Sequence, residues 1–286
     1  MNTSRRIEMD GPKNLRDLGG MVTADGRRIR ENVLFRSDRL NTLSEKDIEK
    51  LISSSLCVSY DLRNTHEQTE QPDVDIPGCE HVSLPVFPER VEGITHEKES
   101  QLQGYIRFVE SMMENEGASR KRMAGSYRSF VNSDHCRKQF RFLLEDLLAR
   151  ERKAGETGEK KSYLWHCAGG KDRTGFAAAI LEEIFGIPKE DIIEDYMLTN
   201  QYVNSDLTQI SPQMYVMMKE HFGDRIEEIG EKIRGSVDDM ILARREYIDA
   251  AYDEIEKLYG SFAAFLKEGL GFDEEKQEEL RKLFLE

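Results

Sequence analysis

Ten residues, His166 to Gly175, constrain this chain more than any other segment. They read HCAGGKDRTG and lie between two apolar runs, Tyr163 to Trp165 and Phe176 to Phe185. The first run is typical of a buried strand and the second of a buried helix. The two glycines of the intervening loop allow backbone N–H groups to turn inward at the start of the helix, where they form a cradle for an anion. The segment therefore predicts a strand, an anion-binding loop and a helix.

Cys167 and Arg173 stand at the two ends of this loop in Cys-x5-Arg spacing. A guanidinium holds two phosphate oxygens at once, which an ammonium cannot do. The helix dipole, the inward N–H groups and the guanidinium all stabilise negative charge on the sulfur of Cys167. A lone buried cysteine is more often a core residue. The complete pattern instead favours a thiolate that attacks a bound phosphate.

The loop resembles the signature of the protein tyrosine phosphatase superfamily, HCxxGxxR followed by Ser or Thr. Within it the loop is similar to that of bacterial tyrosine/serine phosphatases with HCxAGKDRTG loops, some of which also hydrolyse phosphoinositides; Gly169 stands where that pattern often has alanine. The resemblance extends over nearly the whole chain and implies one phosphatase domain over residues 1–286. Its other segments are Asn14 to Gly20, Leu34 to Ser37, Asp61 to Arg63 with Glu67, Asp195-Tyr196 with Asn200, and Tyr259 to Ser261.

The resemblance implies a two-step reaction without a cofactor or metal. Cys167 attacks phosphorus to form a phosphocysteine, and water then hydrolyses it. Thr174 either donates its hydroxyl to the departing sulfur or is an ordinary residue at a helix start. His166 is expected to orient the loop rather than to transfer protons. The phosphate is held by Arg173 and by the backbone of Ala168, Gly169, Gly170 and Lys171.

The leaving oxygen needs a proton, and two residues are candidates for the acid. Most of the superfamily uses an aspartate on a separate loop with the sequence WPD, which is absent here. Asp172 is the candidate that the resembling branch uses, although an aspartate at a helix start also has a plain stabilising role. Glu89 is the rival, because it follows Pro88 in a charged, lid-like insertion near residues 85–125.

Lys171 bears on the substrate. It makes the loop more basic than a phosphotyrosine requires, and lipid-directed members of the superfamily carry lysine in such loops. The alternative is a solvated lysine without a role in binding. Phosphorylated proteins are therefore the first expected substrates and phosphoinositides the second.

The rest of the chain predicts an α/β fold with a mainly parallel central sheet flanked by helices. Ser44 followed by Asp47 indicates a helix start, and helical spacing recurs over residues 140–150. Residues 151–161 are expected to be a surface linker, and residues 187–286 a mostly helical extension. Four β-rich runs alternate with these helical patterns, at residues 33–36, 56–62, 81–84 and 163–167.

Composition limits the partners and the surroundings. A net charge of −14 and a pI near 5.1 disfavour binding to nucleic acid or to an anionic membrane, so a phosphate site must be local. No apolar run approaches the roughly 18 residues of a membrane span, and no secretory signal is evident. The four cysteines lack the spacing of a disulfide framework or a zinc site. We expect a cytoplasmic protein without stable membrane insertion, with export by a route that needs no signal left open.

Two other classes of protein use similar loops. Rhodaneses and arsenate reductases also place a cysteine in an anion-binding loop, and some phosphate-binding modules have lost catalysis. Thr174 after Arg173 and the apolar helix favour the phosphatase, and inactive modules usually lack the cysteine or the arginine. The sequence leaves the physiological substrate and the oligomeric state open.

Overall fold

The computed structural model describes residues 5–87, 117–202, 219–221, 223, 235 and 238–286. Its core is a five-stranded sheet in the order β1-β2-β5-β3-β4, in which only β1 is antiparallel to its neighbour. The predicted α/β fold with a mainly parallel sheet is therefore confirmed. The strands are β1 (Arg16–Asp17), β2 (Leu34–Ser37), β3 (Leu56–Asp61), β4 (Glu80–Ser83) and β5 (Ser162–His166).

Helices cover the sheet. After Gly186, every regular element of the described residues is helical. The helices are α1 (Glu45–Ser53), α2 (Thr65–Glu70), α3 (Ala118–Asn132), α4 (Asp134–Thr157), α5 (Asp172–Phe185), α6 (Lys189–Met197), α7 (Thr199–Tyr202), α8 (Arg245–Tyr259), α9 (Phe262–Ala264) and α10 (Glu274–Phe284).

Strand β5 is central, and each of its residues is buried. It is parallel to both neighbours, and its last residue, His166, pairs with Ser37 of β2 and Asp61 of β3. The carboxyl ends of parallel strands meet at one edge of a sheet, where ligands of α/β proteins commonly bind. The loop that follows His166 therefore emerges at this edge.

Local signals identified some helix ends and missed others. Ser44 and Asp47 form the expected capping box at the start of α1. The surface linker predicted for residues 151–161 is wrong in its first half, because α4 continues to Thr157 and buries Glu151 and Ala154 against the core. The helix ends where Gly158 adopts a left-handed conformation, at φ +69°.

The predicted lid-like insertion is described only at its two ends. Residues 118–125 belong to α3, whereas residues 88–116, with Glu89, lie outside the described residues. Helix α3 packs extensively on α8, and α5 lies against the sheet. Within the described ranges, no helix combines the length and the apolar character that crossing a bilayer requires.

Candidate active site

The loop from Cys167 to Lys171 joins β5 to α5 and borders a pocket of about 640 Å³. Cys167 is almost fully buried, at 2% exposure, and is one of the residues that line the pocket. Asp172 and Arg173, in the first turn of α5, line the same pocket. The structure therefore brings the predicted nucleophile, phosphate clamp and acid to one cavity.

Three carbonyl groups of the loop accept hydrogen bonds from outside it. The backbone N–H of Arg39 donates to Ala168 O at 3.3 Å, and the side-chain amide of Asn14 donates to Gly169 O at 3.0 Å. Gly170 O accepts from Arg36 Nη2 at 3.0 Å and from Asn14 at 3.2 Å. In a trans peptide the N–H points away from the C=O. Anchoring these carbonyls outward therefore turns the next N–H groups toward the pocket.

These N–H groups are available to an anion. Among the described residues, no acceptor is recorded for the N–H groups of Ala168 to Arg173. The first N–H groups of a helix have no intrahelical partner and carry the positive end of its dipole. The loop thus has the donors of the predicted cradle.

Gly170 is needed because of its conformation and its surroundings. Its φ of +64° is unfavourable for residues with a side chain, and a Cβ there would lie 2.7 Å from backbone atoms of Ser37 and Asp38. The end of β2 therefore packs directly on the loop backbone.

Arg173 is oriented by Glu67 of α2. Its Nη1 and Nη2 donate to the two carboxylate oxygens at 2.5 and 2.9 Å. A guanidinium has about five N–H donors, so this end-on pair leaves others for a phosphate. Burial alone would raise the pKa of Glu67, but the hydrogen bonds and charge of Arg173 hold it below its ordinary value.

The reverse holds for Arg173. Burial alone would lower the pKa of Arg173, but the hydrogen bonds to Glu67 and the charges of Cys167, Glu67 and Asp172 raise it above its ordinary value. The clamp therefore remains cationic.

A largely buried cluster of charged groups lies behind the loop. Its members are Arg5, Arg16, Arg36, Asp195 and Glu182. The three guanidinium groups converge on the Asp195 carboxylate, with Arg36 Nη1 at 2.5 Å from Oδ2. Burial alone would raise the pKa of Asp195, but the arginine charges hold it below its ordinary value. Burial and the Asp195 charge raise the pKa of Glu182 well above its ordinary value. The cluster is therefore net positive, which makes the site locally favourable to an anion.

His166 lies beneath the loop rather than in the pocket. It is fully buried, and its Nε2 is 3.1 Å from Oδ2 of Asp73. Asp73 and Asp61 both pair with Arg63, at 2.9 and 2.7 Å. This placement is compatible with the expected orienting role. Glu67, which the resemblance groups with Asp61 and Arg63, forms its ion pair with Arg173 instead.

The recorded polar contacts of the Asp172 carboxyl fall on one of its two oxygens. The Tyr127 hydroxyl donates to Oδ1 at 2.9 Å, and Lys171 Nζ lies 3.4 Å from Oδ1. Tyr127 Oη is also 2.8 Å from the Tyr196 hydroxyl. The carboxyl is 27% exposed, which leaves part of it open to the pocket.

The side chain of Lys171 differs from the sequence expectation of a cation presented to substrate. It is 3% exposed, and its ammonium donates to the carbonyl oxygens of Met240 and Leu242, the latter at 3.3 Å. Its backbone N–H remains part of the cradle, but its side-chain charge is directed to the segment before α8.

The Thr174 hydroxyl is buried and has no hydrogen-bond partner among the residues that the structure describes. The expected donation to the Cys167 sulfur is therefore not made in this structure. Buried hydroxyls usually have a partner, so the Thr174 hydroxyl still has a hydrogen bond to donate.

The sequence analysis assigned no role to Asn14, Arg36, Asp73 or Tyr127. Asn14 and Arg36 lie in segments that carry the family resemblance, so their position in a motif was a usable signal. The sequence gives no such signal for Tyr127, because a single aromatic residue on a helix belongs to no motif. Its role depends on α3 packing over α5.

One group of side chains has donor atoms close enough for a metal ion, within the described part of the chain. It comprises Asp61, Asp73 and His81, whose donor atoms lie within 4.8 Å of one another. Arg63 already pairs with both carboxylates. A cation would have to displace this guanidinium, so the group does not present an open ligand set.

The profile described as the tyrosine phosphatase family matches residues 7–286. The triple specificity protein phosphatase PtpB of Mycobacterium tuberculosis is 25% identical over 273 residues, 91% of this chain and 92% of PtpB. A putative tyrosine-protein phosphatase of Cupriavidus necator is 26% identical over 267 residues, 93% of this chain and 85% of that protein. The crystal structure of P. aeruginosa TpbA covers 72% of this chain and 89% of its own at 14% identity, but its TM-score of 0.31 is too low to support an inference.

Proposed function

This chain belongs to the tyrosine phosphatase family, and on that premise we propose that it hydrolyses phosphotyrosine through a phosphocysteine at Cys167. The observation that carries the proposal is the loop itself. Free N–H groups, a buried cysteine and an arginine fixed by Glu67 surround one pocket. These are the donors and the nucleophile that phosphoryl transfer requires.

In the first step, the Cys167 thiolate attacks phosphorus and the bond from phosphorus to the leaving oxygen breaks. Asp172 gives its proton to that oxygen and becomes a carboxylate. Arg173 and the N–H groups of the loop hold the other three phosphate oxygens as charge redistributes.

In the second step, water attacks phosphorus and the sulfur–phosphorus bond breaks. Asp172 takes the proton of the water, inorganic phosphate leaves and the thiolate is restored. Thr174, whose buried hydroxyl lacks a partner, donates a hydrogen bond to the departing sulfur.

The pocket wall favours an aryl substrate. Tyr202, Met240 and Ile241 line the pocket that also contains Cys167, so an aromatic ring has apolar surface to contact there. The name of PtpB, triple specificity protein phosphatase, supports a substrate range broader than phosphotyrosine. The further substrates that we propose are phosphoserine, phosphothreonine and phosphoinositides. The buried ammonium of Lys171 gives no direct support to lipid selectivity, so phosphoinositides come second in this proposal.

The nucleophile is tested by Cys167→Ser. We expect turnover of a phosphotyrosine peptide to fall by at least ~1,000-fold. Vanadate binding, measured by calorimetry, should remain because the N–H groups and Arg173 are unchanged. Cys136→Ser is the matched control, because Cys136 is equally buried but lies in α4. Activity within about tenfold of the parent for Cys167→Ser would contradict the covalent mechanism.

The same preparation separates the alternative chemistries. The parent should release inorganic phosphate from phosphotyrosine peptides and show neither sulfur transfer from thiosulfate nor reduction of arsenate. Either of the latter activities, without phosphatase activity, would favour the rhodanese-like or arsenate-reductase-like alternative.

The acid is tested by Asp172→Asn and Glu89→Gln. A good leaving group such as nitrophenolate needs little protonation, whereas the alkoxide of serine needs it strongly. We therefore expect Asp172→Asn to steepen the dependence of log kcat/KM on leaving-group acidity, and Glu89→Gln to leave it unchanged. The opposite pattern would assign the proton to Glu89.

A further inference from the structure

The contacts of Asp172 distinguish its two oxygens. Oδ1 receives the Tyr127 hydroxyl at 2.9 Å and lies 3.4 Å from the Lys171 ammonium. Oδ2 has no recorded hydrogen-bond partner within the described ranges of the chain, and Asp172 lines the pocket. A carboxyl oxygen that already accepts a hydrogen bond and lies beside an ammonium is a poor place for the proton. When Asp172 is protonated, the proton therefore belongs on Oδ2.

Tyr127 is held firmly enough to impose this arrangement. It is fully buried on α3, and its ring contacts those of Phe130 and Tyr247, with centroids 5.2 and 6.1 Å away. A phenol has one proton, which Tyr127 donates to Asp172, so the hydroxyl of Tyr196 donates to Tyr127. Burial and the Asp172 charge raise the pKa of Tyr127 well above its ordinary value, so it keeps this proton.

We propose that Tyr127 is a positioning residue for the general acid: it anchors Oδ1 of Asp172 and thereby leaves the transferable proton on Oδ2, toward the leaving group. The proposal rests on the proposed role of Asp172 as that acid. Without the anchor the carboxyl can rotate and exchange its oxygens, and its proton then points away from the leaving group for part of the time. Orientation of a reacting group is a large component of catalysis.

This arrangement makes α3 part of the catalytic apparatus. Tyr127 and Asp172 are 45 residues apart, and Tyr127 and Tyr196 are 69 apart. Three helices, α3, α5 and α6, must therefore pack correctly before the acid is oriented. Loss of the anchor should affect proton transfer and spare phosphate binding, because neither Arg173 nor a cradle N–H group is a recorded hydrogen-bond partner of Tyr127 within the described residues.

The test is Tyr127→Phe, which removes one hydroxyl and keeps the ring. We expect kcat/KM for a phosphoserine peptide to fall about 10- to 100-fold and that for nitrophenyl phosphate to change by less than about threefold. Tyr60→Phe is the matched control. Tyr60 is also fully buried and donates to a carboxylate, Asp146, at 2.7 Å, outside the pocket.

A double-mutant cycle distinguishes positioning from general damage. In the Asp172→Asn background, Tyr127→Phe should have no further effect on either substrate. Equal losses for both substrates, or additive losses in the double mutant, would overturn the proposal. Vanadate binding and thermal unfolding check that each variant is folded.

A second variant tests the proposal if Tyr127→Phe fails to fold. Tyr196→Phe removes the donor to Tyr127 but keeps the bond from Tyr127 to Asp172, so we expect a smaller loss with the same substrate dependence. An unchanged dependence would count against the proposal. If Asp172→Asn itself leaves the leaving-group dependence unchanged, the assignment of the acid fails. If Asp172→Asn changes the leaving-group dependence but the two tyrosine variants leave it unchanged, Asp172 remains the acid and the positioning role of Tyr127 is wrong.

Discussion

Individual side chains at this site have ionisation states set by burial and by neighbours far away in the sequence. Glu182 is the clearest example. It is 1% exposed, its Oε1 has no partner among the described residues, and burial and the Asp195 charge raise its pKa well above the ordinary carboxyl range. A neutral Glu182 leaves the arginines behind the loop with a single carboxylate, Asp195, and so preserves the positive charge of the cluster.

This state has a consequence for stability. A raised folded-state pKa at Glu182 means that the native protein keeps a proton which the unfolded chain loses above its ordinary value of 4.5. The contribution of this proton to the free energy of unfolding is fully present below pH 4.5. It is lost as pH rises from that value toward the folded-state pKa, at about 1.4 kcal/mol per pH unit. Glu182→Gln mimics the neutral form and should not show the loss.

We therefore predict that Glu182→Gln gains stability relative to the parent as pH rises from 6 to 8, as measured by urea unfolding. The same substitution at Glu194, an exposed residue of α6, is the control, and its difference from the parent should stay constant with pH. A constant difference for Glu182→Gln would mean that this carboxyl is already ionised in the native state.

At the scale of elements, the unit of function is β5, the loop and α5, held against β2. Its two central glycines are not equivalent. A Cβ at Gly170 would meet the backbone of Ser37 and Asp38 at 2.7 Å, whereas a Cβ at Gly169 would meet nothing within 4 Å. The loop can therefore accept a side chain at one position and not at the other.

This asymmetry predicts different outcomes for two identical substitutions. Gly170→Ala should lose on the order of 1–3 kcal/mol of stability, because left-handed backbone is strained for alanine. Displacement of the cradle should also reduce kcat/KM by about 100-fold. Gly169→Ala should retain activity within about threefold. Peptide kinetics and thermal unfolding provide the measurements, and equal tolerance of both changes would show that the loop is not fixed by β2.

At the scale of the whole molecule, the last helix closes the fold around β5. Phe284 of α10 is fully buried between Phe185 of α5 and Tyr163 of β5, with ring centroids 6.0 and 6.1 Å away. The following residue, Leu285, forms a β-bridge with Ile29. The C-terminal helix thus packs at the start of the strand whose end carries the loop.

We predict that Phe284→Ala destabilises the protein by about 3–5 kcal/mol, the usual cost of removing a buried aromatic ring. Below its unfolding temperature it should keep kcat/KM within about threefold, because neither Phe284 nor its two ring partners line the active-site pocket. Phe142→Ala is the control, since Phe142 is 47% exposed on α4 and should cost much less. A large loss of activity in folded Phe284→Ala would show that α10 influences the loop directly.

The elements that were predicted correctly are those that depend on residues adjacent in the sequence. The strand, the anion loop and the helix were read from His166 to Gly175 and its flanks, because a loop between two apolar elements has few conformations that satisfy its backbone. The capping box at Ser44 and the parallel sheet were predicted for the same local reason. The strand β1 and the continuation of α4 to Thr157 were missed. Two paired residues give almost no periodicity, and a charged helix end resembles a linker.

The sequence by itself determined which residues form the loop, because that depends on neighbours along the chain. Only the tertiary structure decided which partners those residues contact. Arg173 meets Glu67 across 106 residues, Asp172 meets Tyr127 across 45, and Gly170 meets Asn14 across 156. The Lys171 ammonium donates to carbonyls 69 and 71 residues away. The physical reason is that hydrogen bonds and ion pairs form between groups that packing brings together. A local sequence pattern cannot identify a partner that is distant along the chain.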